Sequence, residues 1–98
     1  MFVSFDPTKN ATNIATRGLP FELIEQLDWA TALIAEDTRK AYGERRFQVL
    51  GIIGDRLHAV VFTPRDDKVH VISLRKANSR EVNRYAETST QAPQSGAN

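Results

Sequence analysis

The middle of the chain contains three apolar runs joined by connections that are only long enough for tight turns. The runs are RRFQVLGIIG, RLHAVVFT and VHVISLR, at residues 45–54, 56–63 and 69–75. They are rich in β-branched and aromatic residues, which is typical of strands, and Gly54-Asp55 between the first two suits a hairpin turn. Parallel neighbours would need a crossover of roughly a dozen residues, so this spacing predicts an antiparallel meander.

The N-terminal part of the chain has the signals of helices. Asp6 is a favourable N-cap and Gly18 suits the left-handed residue after a last turn, which predicts a first helix between them. A second helix is predicted from Pro20, because apolar residues follow it at helical spacing. The segments MFVSF and TALIAE, residues 1–5 and 31–36, are predicted strands. Helices and strands in this order predict an α+β domain.

Positive charge is concentrated where the last predicted strand ends. This corner carries four basic residues within ten positions, namely Arg75, Lys76, Arg80 and Arg84. Asn78 and Glu81 have the N-x-x-E spacing of a capping box, which predicts that a C-terminal helix begins at the same corner. Side chains from a strand and a helix can therefore converge there.

The charge is unevenly distributed along the whole chain. Residues 1–37 carry a formal charge of −4 and residues 38–98 one of +5, which together give the net charge of +1. The basic half also contains DTRKAYGERRFQVLG, where Arg39, Arg45 and Arg46 are interleaved with aromatic residues. Basic residues can grip phosphates while aromatic rings stack on bases, so the two basic segments favour nucleic acid as a ligand. The alternative is a solvated surface that only keeps the protein in solution.

Several classes of function have no support in the sequence. There is no cysteine, which excludes disulfides and thiolate zinc sites, and the two histidines lack the spacing of metal ligands. His58 and His70 lie in predicted strands, either as ordinary strand residues or as a general base. No cofactor motif, membrane-spanning apolar run or signal peptide is recognisable. We therefore expect a cytoplasmic protein without a metal or a cofactor.

The length of 98 residues suits one domain with a single modest core. We expect this domain to occupy residues 1–87. The last segment, TSTQAPQSGAN at residues 88–98, is small, polar and uncharged and is interrupted by Pro and Gly. Such a composition predicts a disordered polar tail.

Three stretches carry one family pattern in order and with compatible spacing. They are FDPTKNATNIATRGLPFELI, DTRKAYGERRFQVLG and VFTPRDDKVHVISLRKANSREVNRYAE. Together they resemble the BrnT family of toxins from bacterial type II toxin–antitoxin systems. The matching positions are Asp6, Lys9, Asn13, Gly18, Phe21, Asp37, Arg39, Tyr42, Gly43, Glu44, Arg46, Phe47, Thr63, Arg65, Ile72, Ser73, Arg75, Lys76, Ala77, Glu81 and Tyr85. The sequence departs from the pattern at Arg17, where His is common, and at His70, where Arg is frequent.

The resemblance implies a fold similar to the RelE/ParE toxins. Two N-terminal helices would pack on a curved antiparallel sheet of about four to five strands, followed by a C-terminal helix. It also implies a ribonuclease that cleaves RNA without a metal, inhibits translation and is neutralised by a cognate BrnA-like antitoxin. We expect a hetero-oligomer with this antitoxin, which as a complex binds operator DNA, and no contact with a membrane.

The resemblance further implies a site at the basic corner. The ribose 2′-OH would attack the adjacent phosphate, so the protein has to orient it in line and neutralise charge that grows on the phosphoryl oxygens. We expect the catalytic group to consist of Arg65, Arg75, Lys76 and Arg80, with Tyr85 to position or stack. We expect RNA-binding contacts from Arg39, Arg45, Arg46 and Arg84. Proton transfer is left open among four candidates, His58, His70, Glu44 and Glu81.

The alternative is a catalytically inactive RelE-like module that binds an antitoxin partner or nucleic acid through the same basic residues. Arg17 favours this alternative, because a guanidinium stays protonated and cannot replace a histidine as a base. Salt-sensitive binding would not separate the two hypotheses, since both use cations. Formation of cleavage products would separate them.

Overall fold

The computed structural model describes residues 2–39, 41 and 43–96, with side chains up to Thr88. Lys40 and Tyr42 of the basic segment, and the last two residues of the predicted tail, lie outside the described residues. The elements are, in chain order, β1 (Val3–Phe5), α1 (Pro7–Arg17), two 3₁₀ helices (Phe21–Gln26 and Trp29–Thr31), β2 (Leu33–Glu36), β3 (Phe47–Ile53), β4 (Arg56–Arg65), β5 (Lys68–Lys76) and α2 (Ser79–Gly96). The predicted α+β class is confirmed.

Five strands form one sheet in the order β1-β5-β4-β3-β2. From β2 to β5 each strand is antiparallel to the next, and the predicted turn at Gly54-Asp55 joins β3 to β4, which confirms the meander. The prediction of an antiparallel sheet throughout is wrong for β1, which pairs with β5 in parallel. Most of the chain lies between these two strands and provides the crossover that parallel pairing needs.

The predicted first helix is present as α1, with the expected signals at both ends. Asp6 Oδ1 accepts a hydrogen bond of 2.8 Å from the amide two residues later. Gly18 follows the last turn at a φ of +69°, a conformation that glycine adopts without steric cost. The Asn13 side chain donates to the carbonyls of Leu19 and Leu74 at 2.8 and 3.0 Å, which ties α1 to β5.

The predicted second N-terminal helix is wrong in type, because this segment is a 3₁₀ helix at Phe21–Gln26. It does begin directly after Pro20, as expected. After six residues the chain has to extend, since Leu27 bridges Ile53 and the following amide bonds to the Ile52 carbonyl of β3. One α-helix and two 3₁₀ helices therefore replace the two expected α-helices.

One face of the sheet carries the main apolar core and is called here the core face. Val49, Val60 and Leu74 lie side by side on β3, β4 and β5, and each is at most 1% exposed. Phe21 and Ile24 of the first 3₁₀ helix pack onto them and are buried as well. Burying side chains of this size contributes about 1.5–3 kcal/mol each, so the core face supplies most of the stabilisation.

The opposite face is called here the open face. Side chains alternate across a strand, so the residues next to the core residues point to this side. Three rows cross it, namely Leu50–Ala59–Arg75, Gln48–Val61–Ser73 and Thr63–His70–Ser4. Neighbouring rows are about 7 Å apart by strand geometry. Tyr85 of α2 packs against the cluster that contains Leu50 and Ala59, so α2 covers one end of the open face.

The last helix, α2, continues to Gly96, past residue 87, where the sequence predicts that a tail begins. The division into a domain of residues 1–87 and a tail of residues 88–98 stays a prediction. None of the helices in the described ranges is both long enough and apolar enough to span a membrane.

Candidate functional site

A cavity of about 540 Å³ lies between the open face and α2. Its floor is formed by the first two rows of the open face, and its lining mixes apolar with polar side chains. Among the lining residues are Leu33, Gln48, Ser73, Arg39, Arg75 and Arg84. A concave surface that combines apolar walls with a few convergent polar groups is typical of a ligand site.

Arg75, near the end of β5, is fixed to the first turn of α2 by Glu81. Its Nη1 and Nη2 atoms donate hydrogen bonds of 2.8 and 2.9 Å to the two carboxylate oxygens. Glu81 also accepts from the Asn78 amide at 2.9 Å, while Asn78 Oδ1 accepts from the Glu81 amide at the same distance. This reciprocal pair confirms the predicted capping box. The cap positions Glu81, and Glu81 in turn positions Arg75 beside the cavity.

The ion pair decides what Glu81 can do chemically. The hydrogen bonds from Arg75 lower the pKa of Glu81 to about 2, and the Asn78 amide and the nearby Arg84 charge add to this effect. Such a carboxylate is too weak a base to take a proton from a ribose hydroxyl. Arg75 keeps donors for a ligand, because three of the five N–H groups of a guanidinium are bonded here, to Glu81 and to the Lys76 carbonyl.

Two further arginines line the cavity. Arg39 donates from Nε and Nη2 to the two Asp37 oxygens, both at 2.9 Å, and Asp37 itself is buried. Arg84 is exposed on α2, and its guanidinium donates no hydrogen bond to any residue in the described part of the chain. Arg84 can therefore turn its donors toward a ligand in the cavity.

A bulge in β5 lies beside the cavity. The pairing passes from Ser73 opposite Val61 to Val71 opposite Phe62, so one residue of β5 is left without a partner. The extra residue changes the alternation of side chains, and both Ser73 and His70 consequently reach the open face. Bulges are frequent next to active sites because they redirect side chains in this way.

Four polar side chains form a connected cluster at the end of the open face that lies away from α2. This cluster is called here the polar corner and consists of Ser4, Glu44, Arg65 and His70. Arg65 Nη2 donates to Glu44 Oε1 at 3.0 Å, and Arg65 Nη1 lies 3.2 Å from His70 Nε2. His70 Nδ1 lies 2.9 Å from Ser4 Oγ. The polar corner thus connects β1, β4, β5 and the loop before β3.

Glu44 is held in the polar corner by charge and by the anchoring of its loop. The hydrogen bond from Arg65 lowers the pKa of Glu44, and Arg46, with Nη2 3.5 Å from Oε2, adds to this effect. The loop is anchored because the buried Thr63 hydroxyl donates a 2.6 Å hydrogen bond to the Arg45 carbonyl. Glu44 is therefore an ionised partner of two arginines.

The geometry of the polar corner determines the tautomer of His70. A guanidinium can only donate hydrogen bonds, so Nε2 of His70 must accept from Arg65. Nδ1 then carries the proton and donates to Ser4 Oγ. Burial lowers the pKa of His70, and the Arg65 charge adds to this effect, so the imidazole is neutral at pH 7.

The other site residues predicted from the sequence lie outside this arrangement. His58 is 4% exposed on the core face, with Nδ1 2.9 Å from the Arg56 carbonyl. Lys76 pairs with His58 across the strands, and Arg80 is exposed on α2. Neither of these cations lines the cavity, and Tyr85 packs against the sheet beneath α2.

The arginines of the second basic segment lie on both sides of the sheet. Arg45 is paired with both oxygens of Glu36 at 3.0 Å and lies 5.1 Å from the centre of the Phe47 ring. Glu36 and Phe47 are paired on the side of the core face. Arg39 therefore reaches the cavity and Arg46 the polar corner, while Arg45 lies on the opposite side of the sheet.

Two polar residues of the site were not predicted from the sequence. Gln48 lines the cavity, and its amide nitrogen lies 3.4 Å from Asp37 Oδ2. A single glutamine within the apolar run of β3 was the available signal. Ser4 meets His70 only because β1 pairs with β5, which local spacing does not indicate.

In the described ranges, no three His, Cys, Asp or Glu side chains are grouped so as to hold a metal ion.

Comparison with known proteins assigns the family. Residues 5–81 match the family model described as ribonuclease toxin, BrnT, of type II toxin-antitoxin system. The match runs from the end of β1 to the first turn of α2 and includes Arg65, His70 and Arg75. A comparison with curated proteins finds no match. A type II system pairs its toxin with an antitoxin, so an antitoxin partner is implied. The chain belongs to the BrnT family of ribonuclease toxins of type II toxin–antitoxin systems.

Proposed function

We propose that the protein is an endoribonuclease that cuts RNA without a metal ion and thereby inhibits translation. The observation that carries this proposal is the placement of arginines on the open face. Arg75 and Arg84 border the cavity, and Arg65 lies at the end of the same face in the polar corner. Arg75 lies in the first row and Arg65 lies two residues beyond Thr63 of the third row. The two groups are therefore about 20 Å apart along the sheet, a distance that several nucleotides of one RNA strand can span.

In this mechanism the ribose 2′-OH attacks the neighbouring phosphorus, and the 5′ oxygen of the next nucleotide leaves. Negative charge grows on the non-bridging oxygens, where fixed N–H donors stabilise the transition state. Arg65 is suited to this task because Glu44 holds its guanidinium at 3.0 Å. Arg75, whose orientation Glu81 fixes at 2.8 and 2.9 Å, keeps donors for another phosphate of the same strand. Removing one such donor typically costs about 2–4 kcal/mol of transition-state stabilisation.

The cavity offers a place for a base of the same strand, away from the cut. Gln48 and Ser73 present polar atoms between apolar neighbours on the floor, so they can bond to the edge of a base. Lys76 and Arg80 lie outside the cavity, and we assign them to contacts with the RNA backbone beyond it. Glu44 and Glu81 are paired with arginines and serve as their anchors in this proposal.

The proposed partner is a cognate BrnA-like antitoxin that neutralises the protein in the cytoplasm. We also propose that the complex binds operator DNA, in keeping with the basic half of the chain. The α-helix, the mostly antiparallel sheet and the C-terminal helix support a relationship to the RelE/ParE toxins. Superposition on an experimental structure of such a toxin would test that relationship.

Cleavage of total RNA by the purified protein in the presence of a chelator tests the proposed activity. The wild type should cut, and Arg75→Ala and Arg84→Ala should each cut more than tenfold more slowly, because each loses a phosphate contact that positions the strand. Arg56→Ala is a matched control: Arg56 is exposed, and its guanidinium bonds only to the Ala77 carbonyl among the described residues.

Circular dichroism of each variant would verify that it is folded. Intact RNA after incubation with a folded wild type, with ribosomes present as well as absent, would contradict the proposal. The inactive binding module would then be the better account. Equal loss of activity in Arg56→Ala would show that the effect is not specific to the open face.

A further inference from the structure

We propose that His70 is the general base of the cleavage reaction and that the polar corner is built to keep its Nε2 atom ready to accept a proton. This inference rests on the proposed ribonuclease activity. It is carried by the chain of contacts from Glu44 through Arg65 and His70 to Ser4, with distances of 3.0, 3.2 and 2.9 Å.

The Nε2 lone pair of His70 and the Arg65 guanidinium, which would bind the phosphate, are adjacent in the polar corner. Arg65 donates to Nε2, so the basic edge of the imidazole is directed toward the guanidinium. A phosphate bound by Arg65 would draw Nη1 away from Nε2, because an anionic oxygen is the stronger acceptor. The ribose attached to that phosphate would then present its 2′-OH to the released lone pair.

The proton and electron movements balance without a further reactant. Nε2 of His70 takes the proton of the 2′-OH as the O2′–P bond forms. The P–O5′ bond breaks, and the leaving oxygen takes a proton from water. The products are a 2′,3′-cyclic phosphate and a 5′-hydroxyl end, and the imidazolium later releases its proton to solvent. Ser4 Oγ accepts from Nδ1–H throughout and holds the ring in place.

The surroundings keep His70 neutral and therefore able to act as a base at pH 7. The ring is half-buried, which lowers its pKa, and Arg65 and Lys9 add positive charge that acts in the same direction. Glu44 and Asp6 oppose this effect. These groups come from β4, α1, the residue before α1 and the loop before β3, so all elements around the ring contribute.

The pH dependence of cleavage of a defined RNA oligonucleotide, in chelator, tests the role of His70. The wild-type rate should rise through the pKa of His70, below the ordinary value of 6.5, and then level off. His70→Gln should cut about 100-fold more slowly, the lower end of typical general-base contributions. Its rate should no longer rise with pH in this range. Imidazole NMR of the wild type gives the His70 pKa independently of activity.

Ser4→Ala supplies a readout that a purely structural role would not move. Without the Ser4 oxygen the imidazolium loses an acceptor. The pKa of His70 measured by NMR and the pH at which the cleavage rate rises should therefore both shift to lower pH. A His70→Gln protein that is folded and cuts at the wild-type rate would overturn the assignment while leaving the proposed function intact. No cleavage by the wild type would overturn both.

Discussion

Ion pairing decides what each charged side chain of the site can do. Glu81 accepts two hydrogen bonds from Arg75, and Glu44 accepts one of 3.0 Å from Arg65. Both carboxylates therefore hold guanidinium groups in place and are poorly suited to accept protons. In the mechanism that we propose, the Nε2 lone pair of neutral His70 is released when Arg65 turns from it to a phosphate.

Glu81→Gln should remove the part of the free energy of unfolding that the wild type loses in acid. In the folded protein the pKa of Glu81 is about 2, below the ordinary 4.5, so the ion pair stabilises above pH 4.5 and is lost as the pH falls toward 2. Glu81→Gln can still cap α2, because glutamine also fits a capping box. Urea unfolding at pH 7 should show a loss of about 1–3 kcal/mol, and the loss should shrink as the pH falls.

Glu87→Gln is the matched control for this experiment, because Glu87 is an exposed glutamate on the same helix. It should leave the urea midpoint nearly unchanged at every pH. If Glu81→Gln were as stable as the wild type at pH 7, the Arg75–Glu81 pair would have no net value for folding.

Local residue patterns predicted one of the two contacts of Glu81 and missed the other. The N-x-x-E spacing predicted the hydrogen bonds between Asn78 and Glu81, which lie within one turn of a helix. The second contact of Glu81, with Arg75, depends on the angle between β5 and α2, which no local pattern contains. The Ser4–His70 contact likewise depends on pairing between the two ends of the chain.

At the scale of elements, Leu27, the residue that follows the first 3₁₀ helix, packs closely against Gly51 of β3. A Cβ atom placed on Gly51 would lie 2.8 and 2.9 Å from Cδ2 and Cγ of Leu27. Leu27 is buried and its backbone bridges Ile53, so it cannot move aside without disturbing the core. A glycine in the middle of a strand is otherwise unfavourable, and this contact explains its presence.

Gly51→Ala should therefore destabilise the protein by about 1–3 kcal/mol through overpacking. A lower urea midpoint at unchanged slope would support this expectation. In a Leu27→Ala background the same substitution should cost less, because the clashing atoms are gone. An equal cost in both backgrounds would place the strain elsewhere than in this contact.

Strands were easier to predict from the sequence than the N-terminal helical segment. The apolar runs and tight turns of β3, β4 and β5 are local signals, and these strands were found where expected. The helical spacing after Pro20 was also present, but tertiary contact with β3 ends the helix after one short 3₁₀ segment. The parallel pairing of β1 follows from the path of the whole chain.

At the scale of the whole molecule, the two sheet faces have different tasks. The core face buries apolar side chains such as Ile24, Val60 and Leu74, while the open face carries the cavity and the polar corner. Both basic segments can bind one nucleic acid only where they lie on the same side of the sheet. Only part of each segment does so, because the loop before β3 sends its arginines to both sides of the sheet.

We propose that the open face promotes attack by a ribose hydroxyl without a metal ion. The most direct test of this proposal uses two oligonucleotides in excess chelator, one of RNA and one with a single deoxyribose at the nucleotide that supplies the attacking hydroxyl. Only the RNA should be cut there, and its product should end in a 2′,3′-cyclic phosphate. Cleavage of both oligonucleotides at the same bond, or cleavage that requires a divalent cation, would contradict it.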